Sequence, residues 1–190
     1  PLTVGGGIRT TDDIKETLRA GADKVSINSG ALANPDLVNA GARSFGNQCI
    51  VISVDARRRY DEQGEHYAQV DGESCWFECT VKGGREGTGR DVVEWAQEAA
   101  ERGAGELFVN SIDADGTKDG YDIPLTEAVC DTVDTPVIAS SGCGGPEDMH
   151  EVFTDAGADA ALAASIFHFD EYSIAETKAY LDEHGVPVRL

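Results

Sequence analysis

The stretch Pro1–Glu16, PLTVGGGIRTTDDIKE, decides the fold because the same pattern returns later in the chain. A short apolar run followed by three glycines and a helical pattern is typical of a buried strand that turns into a helix. The segment 136–145, PVIASSGCGG, repeats the apolar run and the glycines, and both helices end in Ala-Gly-Ala-Asp before a second strand. Two equivalent strand–helix–strand units predict a twofold-repeated (β/α)8 barrel.

Strand-like and helix-like segments alternate through the rest of the chain. The apolar runs are short enough for strands covered on both faces. Six such runs are present, at 1–4, 24–28, 49–56, 106–110, 136–140 and 160–164. Each is followed by a helical pattern, and Thr11 is expected to cap the first helix. We predict a parallel α/β fold, a TIM barrel with six of eight βα units, as a single domain over residues 1–190.

The segment 57–89 interrupts this alternation. It is polar and rich in glycine, with two strand-like pieces, HYAQV at 66–70 and CWFECTV at 75–81. The Asp71-Gly72 pair between them favours a hairpin. A loop of this length is either a functional lid or a local insertion. We predict a hairpin-bearing insertion within the same domain.

The composition excludes some classes of protein. The formal net charge is −20, from 35 acidic and 15 basic residues, which disfavours binding to nucleic acid or to anionic membranes. The acids are dispersed, as in the solvated acidic shell of a salt-adapted protein. The sequence shows neither an apolar run near the ~18 residues of a membrane span nor a signal peptide, so we expect a cytoplasmic protein.

Metal and disulfide chemistry is not indicated. The five cysteines lack the paired spacings of a disulfide framework or a zinc site, and the four histidines form no cluster in the sequence. Asp113 and Asp115 have the spacing of a calcium loop, but the expected glutamate at the twelfth position is absent. We expect neither a metal nor a cofactor.

Small and polar residues follow the predicted strands, at the end of the barrel where active sites are built. Glycines let backbone N–H groups approach phosphate oxygens, although a glycine triplet also fits a plain tight turn. One predicted phosphate cradle contains Gly7, Asn28 and Ser29, and the other contains Asp115, Gly116, Gly142, Ala164 and Ser165. Two cradles predict one long ligand with two phosphates.

Asp55 is the carboxylate most suited to catalysis. It follows the apolar run CIVISV, and a charge on a core strand requires a reason. A general acid or base at this position contributes typically ~10²–10⁴-fold to a rate. The alternative is a salt bridge with Arg57 or Arg58.

Five motifs resemble a known family in order along nearly the whole chain. They are TVGGGIR, GADKVSIN, SVDARR, SIDADGTKDGYD and GADAALAASIFHF. Together they resemble the cyclase subunit of imidazole glycerol phosphate synthase, from histidine biosynthesis. The resemblance implies a lyase that takes ammonia from a glutaminase partner. It would convert a phosphoribulosyl-formimino aminoimidazole carboxamide ribonucleotide into imidazole glycerol phosphate and aminoimidazole carboxamide ribonucleotide.

The resemblance also implies roles for single residues. Asp55 matches one of the family's two catalytic aspartates, and the residues of both cradles match its two phosphate sites. Lys24 and Glu106 match charged residues at the ammonia entrance, on the barrel face opposite the active site. Asp23 and Gln48 are expected beside them, near the glutaminase partner.

Some family features have no counterpart in the sequence. These are the first two βα units and the first-strand aspartate, so this chain alone is expected to be inactive. Ser141 stands where a second glycine is common. Two alternatives remain open. One is the isomerase of the same pathway, which acts on the phosphoribosyl-formimino ribonucleotide without ammonia, and the other is a non-catalytic phosphate-binding barrel fragment.

Overall fold

A computed structural model describes residues 1–189, so Leu190, the last residue of the predicted domain, lies outside the described residues. The strands are β1 Thr3–Gly5, β2 Lys24–Ile27, β3 Ile50–Arg59, β4 Ala68–Val70, β5 Glu73–Val81, β6 Glu86–Asp91, β7 Glu106–Ser111, β8 Val137–Ser140 and β9 Ala160–Ala161. The helices are α1 Thr11–Arg19, α2 Ser29–Ala33, α3 Asp36–Phe45, α4 Val92–Glu101, α5 Ile123–Cys130, α6 Pro146–Thr154, α7 Ser165–His168 and α8 Ile174–Glu183.

Six of the strands form a parallel sheet in the order β1-β2-β3-β7-β8-β9. The sheet curls into part of a barrel, and all six strands of the predicted series form, so the predicted fold class is confirmed. Because the strands are parallel, their carboxyl ends meet at one edge of the sheet. That edge is where the sequence places the candidate site residues.

The cap of α1 corrects the prediction by one residue. Thr10, and not Thr11, precedes the helix, and its hydroxyl accepts a hydrogen bond from the backbone N–H of Asp13 at 3.1 Å. The Asp13 carboxylate accepts the backbone N–H of Thr10 in return, at 2.9 Å. Only the threonine three residues before an acid can form this reciprocal box, which explains why Thr10 is used.

The segment 57–89 is largely β-structure, and β3 extends into it. β3 continues to Arg59, so Asp55 lies inside the strand. β5 pairs antiparallel with β3 from Asp55↔Thr80 to Arg59↔Trp76, and β4 and β6 flank β5. The hairpin turn forms at Asp71-Gly72, where both residues have positive φ angles, 53° and 83°.

The core explains which side chains face the barrel interior. On β3, Ile50, Ile52 and Val54 are fully buried in the main apolar cluster, which also includes residues of α1, α3 and α4. Successive side chains of a strand point to opposite faces, so Ser53 and Asp55 face the interior.

The motif 111–122 is partly scaffold. Asp122 is 3% exposed and caps α5 through the backbone N–H of Leu125 at 3.3 Å. Its carboxylate also accepts hydrogen bonds from the hydroxyl of Ser111 at 2.8 Å and from Nε of Arg58 at 3.0 Å. The Asp113 carboxylate accepts the backbone N–H of Arg58 at 2.8 Å. Two aspartates of the motif therefore hold the loop against β3.

Asp122→Ala should destabilise the protein by about 3 kcal/mol, because it leaves the buried partners of the carboxylate unsatisfied and removes a helix cap. Equilibrium urea unfolding measures the effect. Asp134→Ala, at an exposed position after α5, is the control and should change stability by less than about 0.5 kcal/mol. Equal unfolding curves for the two variants would contradict this account of the motif.

Candidate functional site

A cavity of about 780 Å³ opens at the carboxyl ends of β1 and β2 and beside Ser53 and Asp55 in the middle of β3; we call it the first cavity. The glycine turn after β1, the start of α2 and the turn between β5 and β6 complete its wall. Gly7, Asn28, Ser29 and Asp55 all line it. The structure therefore brings the first predicted phosphate cradle and the predicted catalytic carboxylate into one cavity.

Asp55 is held by neutral donors. Its Oδ2 accepts a hydrogen bond from Nδ2 of Asn28 at 2.8 Å, and its Oδ1 accepts one from Nδ2 of Asn110 at 3.0 Å. The predicted alternative, a salt bridge with Arg57 or Arg58, is wrong. Arg58 pairs with Asp122, and Arg57 donates to the backbone oxygen of Gly84. Among residues 1–189 no ion pair includes this carboxylate, which lines the first cavity.

Strand β5 of the insertion fixes the orientation of this pair. The hydroxyl of Thr80 donates to the backbone oxygen of Asp55 at 2.9 Å, and the backbone oxygen of Thr80 accepts Nδ2 of Asn28 at 3.2 Å. With Nδ2 shared between two acceptors, Oδ1 of Asn28 is buried without a partner among the described residues. The insertion is therefore part of the site and not a separate appendage.

The glycine turn of the first cavity is tied to α1. Gly6 and Gly7 have φ angles of 103° and 75°, a left-handed conformation that favours glycine. The carboxylate of Asp13 accepts the backbone N–H of Arg9 at 2.9 Å, directly after this turn. That hydrogen bond, together with those from Thr10, lowers the pKa of Asp13 from its ordinary value of 3.8.

A second cavity of about 200 Å³ lies between the loops after β7, β8 and β9. It brings together all five residues of the other predicted cradle. They are Asp115, Gly116, Gly142, Ala164 and Ser165. The two cradles thus lie in two separate cavities at the same edge of the sheet.

The sequence repeat is preserved in the backbone of the two turns. Ser141 and Gly142, with φ angles of 79° and 94°, occupy the places of Gly6 and Gly7. A Cβ atom on Gly142 would lie 2.0 Å from the backbone oxygen of Gly120, so only glycine fits. Ser141 adopts the left-handed conformation with a side chain, at a cost of roughly 1 kcal/mol.

Sequence reasoning missed the cations of the first cavity. Its lining includes Arg9, Lys82, Arg85 and Arg90, and Asp55 is its only acid. The signals were present, as an arginine two residues after the glycine triplet and as KGGR inside the 57–89 segment. Neither motif shows from the sequence alone that the two segments meet.

The predicted ammonia entrance lies at the opposite ends of the strands. Lys24 and Glu106, the first residues of β2 and β7, form an ion pair. The carboxylate of Asp23 accepts the backbone N–H of Leu2 at 2.7 Å, and Gln48 lies in a short 3-10 turn before β3. All four residues are at the amino-terminal face of the sheet.

Two further surveys concern only residues 1–189. No helix in this range combines the length and apolar character that crossing a membrane requires. No group of three or more histidine, cysteine, aspartate or glutamate side chains in the same range is arranged to hold a metal ion.

The chain was compared with known proteins. A family profile described as "Histidine biosynthesis protein" matches residues 1–173. Over its whole length the chain is 84% identical to the imidazole glycerol phosphate synthase subunit HisF of Haloarcula marismortui, and the match covers 70% of that protein. The protein of the same name from Natronomonas pharaonis is 83% identical to the whole chain, which covers 70% of it. The one from Methanothermobacter thermautotrophicus is 52% identical to the whole chain, which covers 71% of it.

Asp13→Asn should lower the melting temperature near neutral pH, because the amide is a weaker acceptor for the two N–H groups beside the glycine turn. A lowered pKa in the folded state stabilises the protein above the ordinary pKa. That stabilisation is lost as the pH falls through the lowered value.

Melting curves recorded from pH 7 down to pH 3 measure this dependence. The difference between wild type and Asp13→Asn should shrink as the pH falls. Asp12→Asn, an exposed neighbour in the same helical turn, is the control for the helix dipole. A difference that stays constant with pH, or that the control reproduces, would refute the role assigned to Asp13.

Proposed function

Because this chain belongs to the histidine biosynthesis protein family, together with the HisF proteins, we propose a role for each part of its site in the reaction of those enzymes. The chain is a cyclase subunit of imidazole glycerol phosphate synthase, a lyase of histidine biosynthesis. The assignment of single residues, of the ammonia source and of the partner is our proposal.

The two cavities each receive one phosphate of a single substrate. That substrate is the phosphoribulosyl-formimino aminoimidazole carboxamide ribonucleotide, which carries a phosphate at either end. Gly7, Asn28 and Ser29 bind one phosphate in the first cavity, and the cradle of Asp115, Gly116, Gly142, Ala164 and Ser165 binds the other. The observation that carries this proposal is the pair of left-handed turns, at Gly6-Gly7 and Ser141-Gly142, repeated at one edge of the sheet.

Asp55 transfers a proton during cyclisation. Ammonia condenses with the ribulosyl ketone with loss of water, and the imidazole ring closes at the formimino carbon. The bond from that carbon to the amino nitrogen of the aminoimidazole carboxamide ribonucleotide breaks, so the steps need groups that donate and accept protons. Asp55 is suited to one of these tasks because its two oxygens are aligned by Asn28 and Asn110, and because the carboxylate lines the first cavity. The isomerase alternative would not use ammonia, and the names of the relatives favour the cyclase.

The chain works as one subunit of a synthase, as the names of its relatives state. We propose that its partner is a glutaminase, that the complex is cytoplasmic, and that ammonia enters at the amino-terminal face. Support comes from the ion pair of Lys24 and Glu106 at this face, whose side chains are only about a quarter exposed. Asp23 and Gln48 lie at the same face.

Asp55→Asn should reduce turnover by about 10²–10⁴-fold, because asparagine cannot exchange a proton with the substrate. Turnover of the ribonucleotide is measured in the synthase with ammonia added, and substrate binding is measured by calorimetry. Binding should stay within a few-fold of wild type. Full activity in Asp55→Asn would favour the non-catalytic phosphate-binding alternative.

Lys24→Ala should separate the two nitrogen sources. Turnover with glutamine should fall by about tenfold, equivalent to about 1.4 kcal/mol, because the entrance for ammonia is altered. Turnover with saturating ammonium salt should be unchanged, since the site around Asp55 is intact. Lys15→Ala, on the exposed surface of α1, is the control. Equal effects on both nitrogen sources would exclude a role at the entrance.

A further inference from the structure

We propose that Arg85 and Arg9 bind the phosphate of the substrate in the first cavity, and that the turn 82–85 serves to present Arg85 there. This inference rests on the proposed function, because it adds binding residues for the same ligand. It also assigns a role to the inserted segment, for which the sequence left a lid and a local insertion open.

The first argument is the contrast in charge. In the whole chain acids outnumber basic residues by 35 to 15. In the lining of the first cavity the order is reversed, with four cations and the single carboxylate of Asp55. A concentration of cations against such a background indicates an anionic ligand, since dispersed acids would otherwise surround these side chains too.

The second argument is which cations remain available. Lys82 pairs with Glu86 at 2.8 Å, and Arg90 pairs with Glu98. The ion pairs found among residues 1–189 include neither Arg9 nor Arg85. Neither guanidinium group in the lining is therefore held in an ion pair, although the charge of Arg9 contributes to the lowered pKa of Asp13.

The third argument is that the turn holds Arg85 in place. Nε of Arg85 donates to the backbone oxygen of Lys82 at 2.7 Å, and its backbone N–H donates to the oxygen of Val81 at 3.2 Å. Because Nε is occupied, the two terminal nitrogens form the remaining donor edge. Such a fork can bind two oxygens of one phosphate, and its prior fixation lowers the entropy lost on binding.

The turn itself is fixed to the barrel. Three successive residues, Lys82, Gly83 and Gly84, have left-handed φ angles of 57°, 68° and 75°. Arg57 of β3 donates to the backbone oxygen of Gly84, and a Cβ on Gly84 would lie 2.6 Å from the side chain of Ile112. A non-glycine residue held at positive φ inside a cavity wall, as Lys82 is, has an unfavourable backbone conformation of the kind that is typical of functional loops.

The turn also contacts the first cradle. The backbone N–H of Lys82 lies 3.4 Å from the hydroxyl oxygen of Ser29, to which it donates. Arg9 follows the glycine turn of the same cradle, and its backbone is held by Asp13. Arg85 and Arg9 thus reach the first cavity from two segments that both adjoin the proposed phosphate position.

The test compares Arg85→Gln, Arg9→Gln and wild type by calorimetry, with the ribonucleotide substrate and with inorganic phosphate as separate probes. Each single variant should raise the Kd for the ribonucleotide by about tenfold or more, as expected for a lost hydrogen bond between charged groups. Arg85→Lys should recover only part of the affinity, because lysine lacks the fork. Melting temperatures verify that all variants fold.

Arg43→Gln is the matched control, because it removes an arginine of the same charge from an exposed position at the end of α3. It should leave the Kd unchanged. Affinity within twofold of wild type in both Arg85→Gln and Arg9→Gln would overturn the inference, as would an equal loss in Arg43→Gln.

The two probes separate this inference from the proposed function. Wild type that binds inorganic phosphate through Arg85 but does not bind the ribonucleotide would support the anion site and refute the proposed substrate. If wild type binds the ribonucleotide and neither Arg85→Gln nor Arg9→Gln changes its Kd, the proposed substrate is supported and the anion site is refuted. Binding of neither probe would overturn both.

Discussion

The geometry of the site depends on β3 pairing with two different strands, β2 and β5, along successive parts of one edge. β2 pairs with β3 only at Ile50–Ile52 and ends at Ile27, whereas β3 continues to Arg59. Beyond that point β5 pairs with the same edge, beginning at Asp55. Asp55 therefore lies where β2, β5 and β7 meet. Asn28, directly after β2, and Asn110 of β7 donate to its carboxylate, and Thr80 of β5 donates to its backbone oxygen. An antiparallel strand inserted into a parallel barrel is what makes this junction.

The sequence predicts what is encoded locally. Apolar runs locate the six parallel strands, and the repeated turn locates both cradles, because strand burial and left-handed glycines leave marks in short segments. The extension of β3 leaves no such mark. The sequence predicts Arg57 and Arg58 to be loop residues, but both lie in β3. Their side chains donate to the backbone oxygen of Gly84 and to the carboxylate of Asp122, which are 27 and 64 residues away in the sequence. The cations of the first cavity were missed for the same reason, since their assembly depends on tertiary contacts.

The two repeated turns, at Gly6-Gly7 and Ser141-Gly142, share a backbone conformation but differ in the residues around them. Both turns place two consecutive residues at positive φ, but only the first is flanked by an inserted hairpin with cations. The second is smaller, and it is walled by the loop that Asp122 and Asp113 hold against β3. One structural unit, used twice, thus forms two cavities of unlike size and charge at one edge of the sheet.

The acidic surface and the basic turn act over different distances. At an ionic strength of 1 M the Debye length is about 3 Å, so the field of a charge of −20 barely extends past the first layer of water. Several relatives of this chain come from halophiles. Under those conditions the surface neither repels an approaching phosphate nor guides it. An anionic ligand would then be selected only at contact, and the cations in the wall of the first cavity are placed to do so.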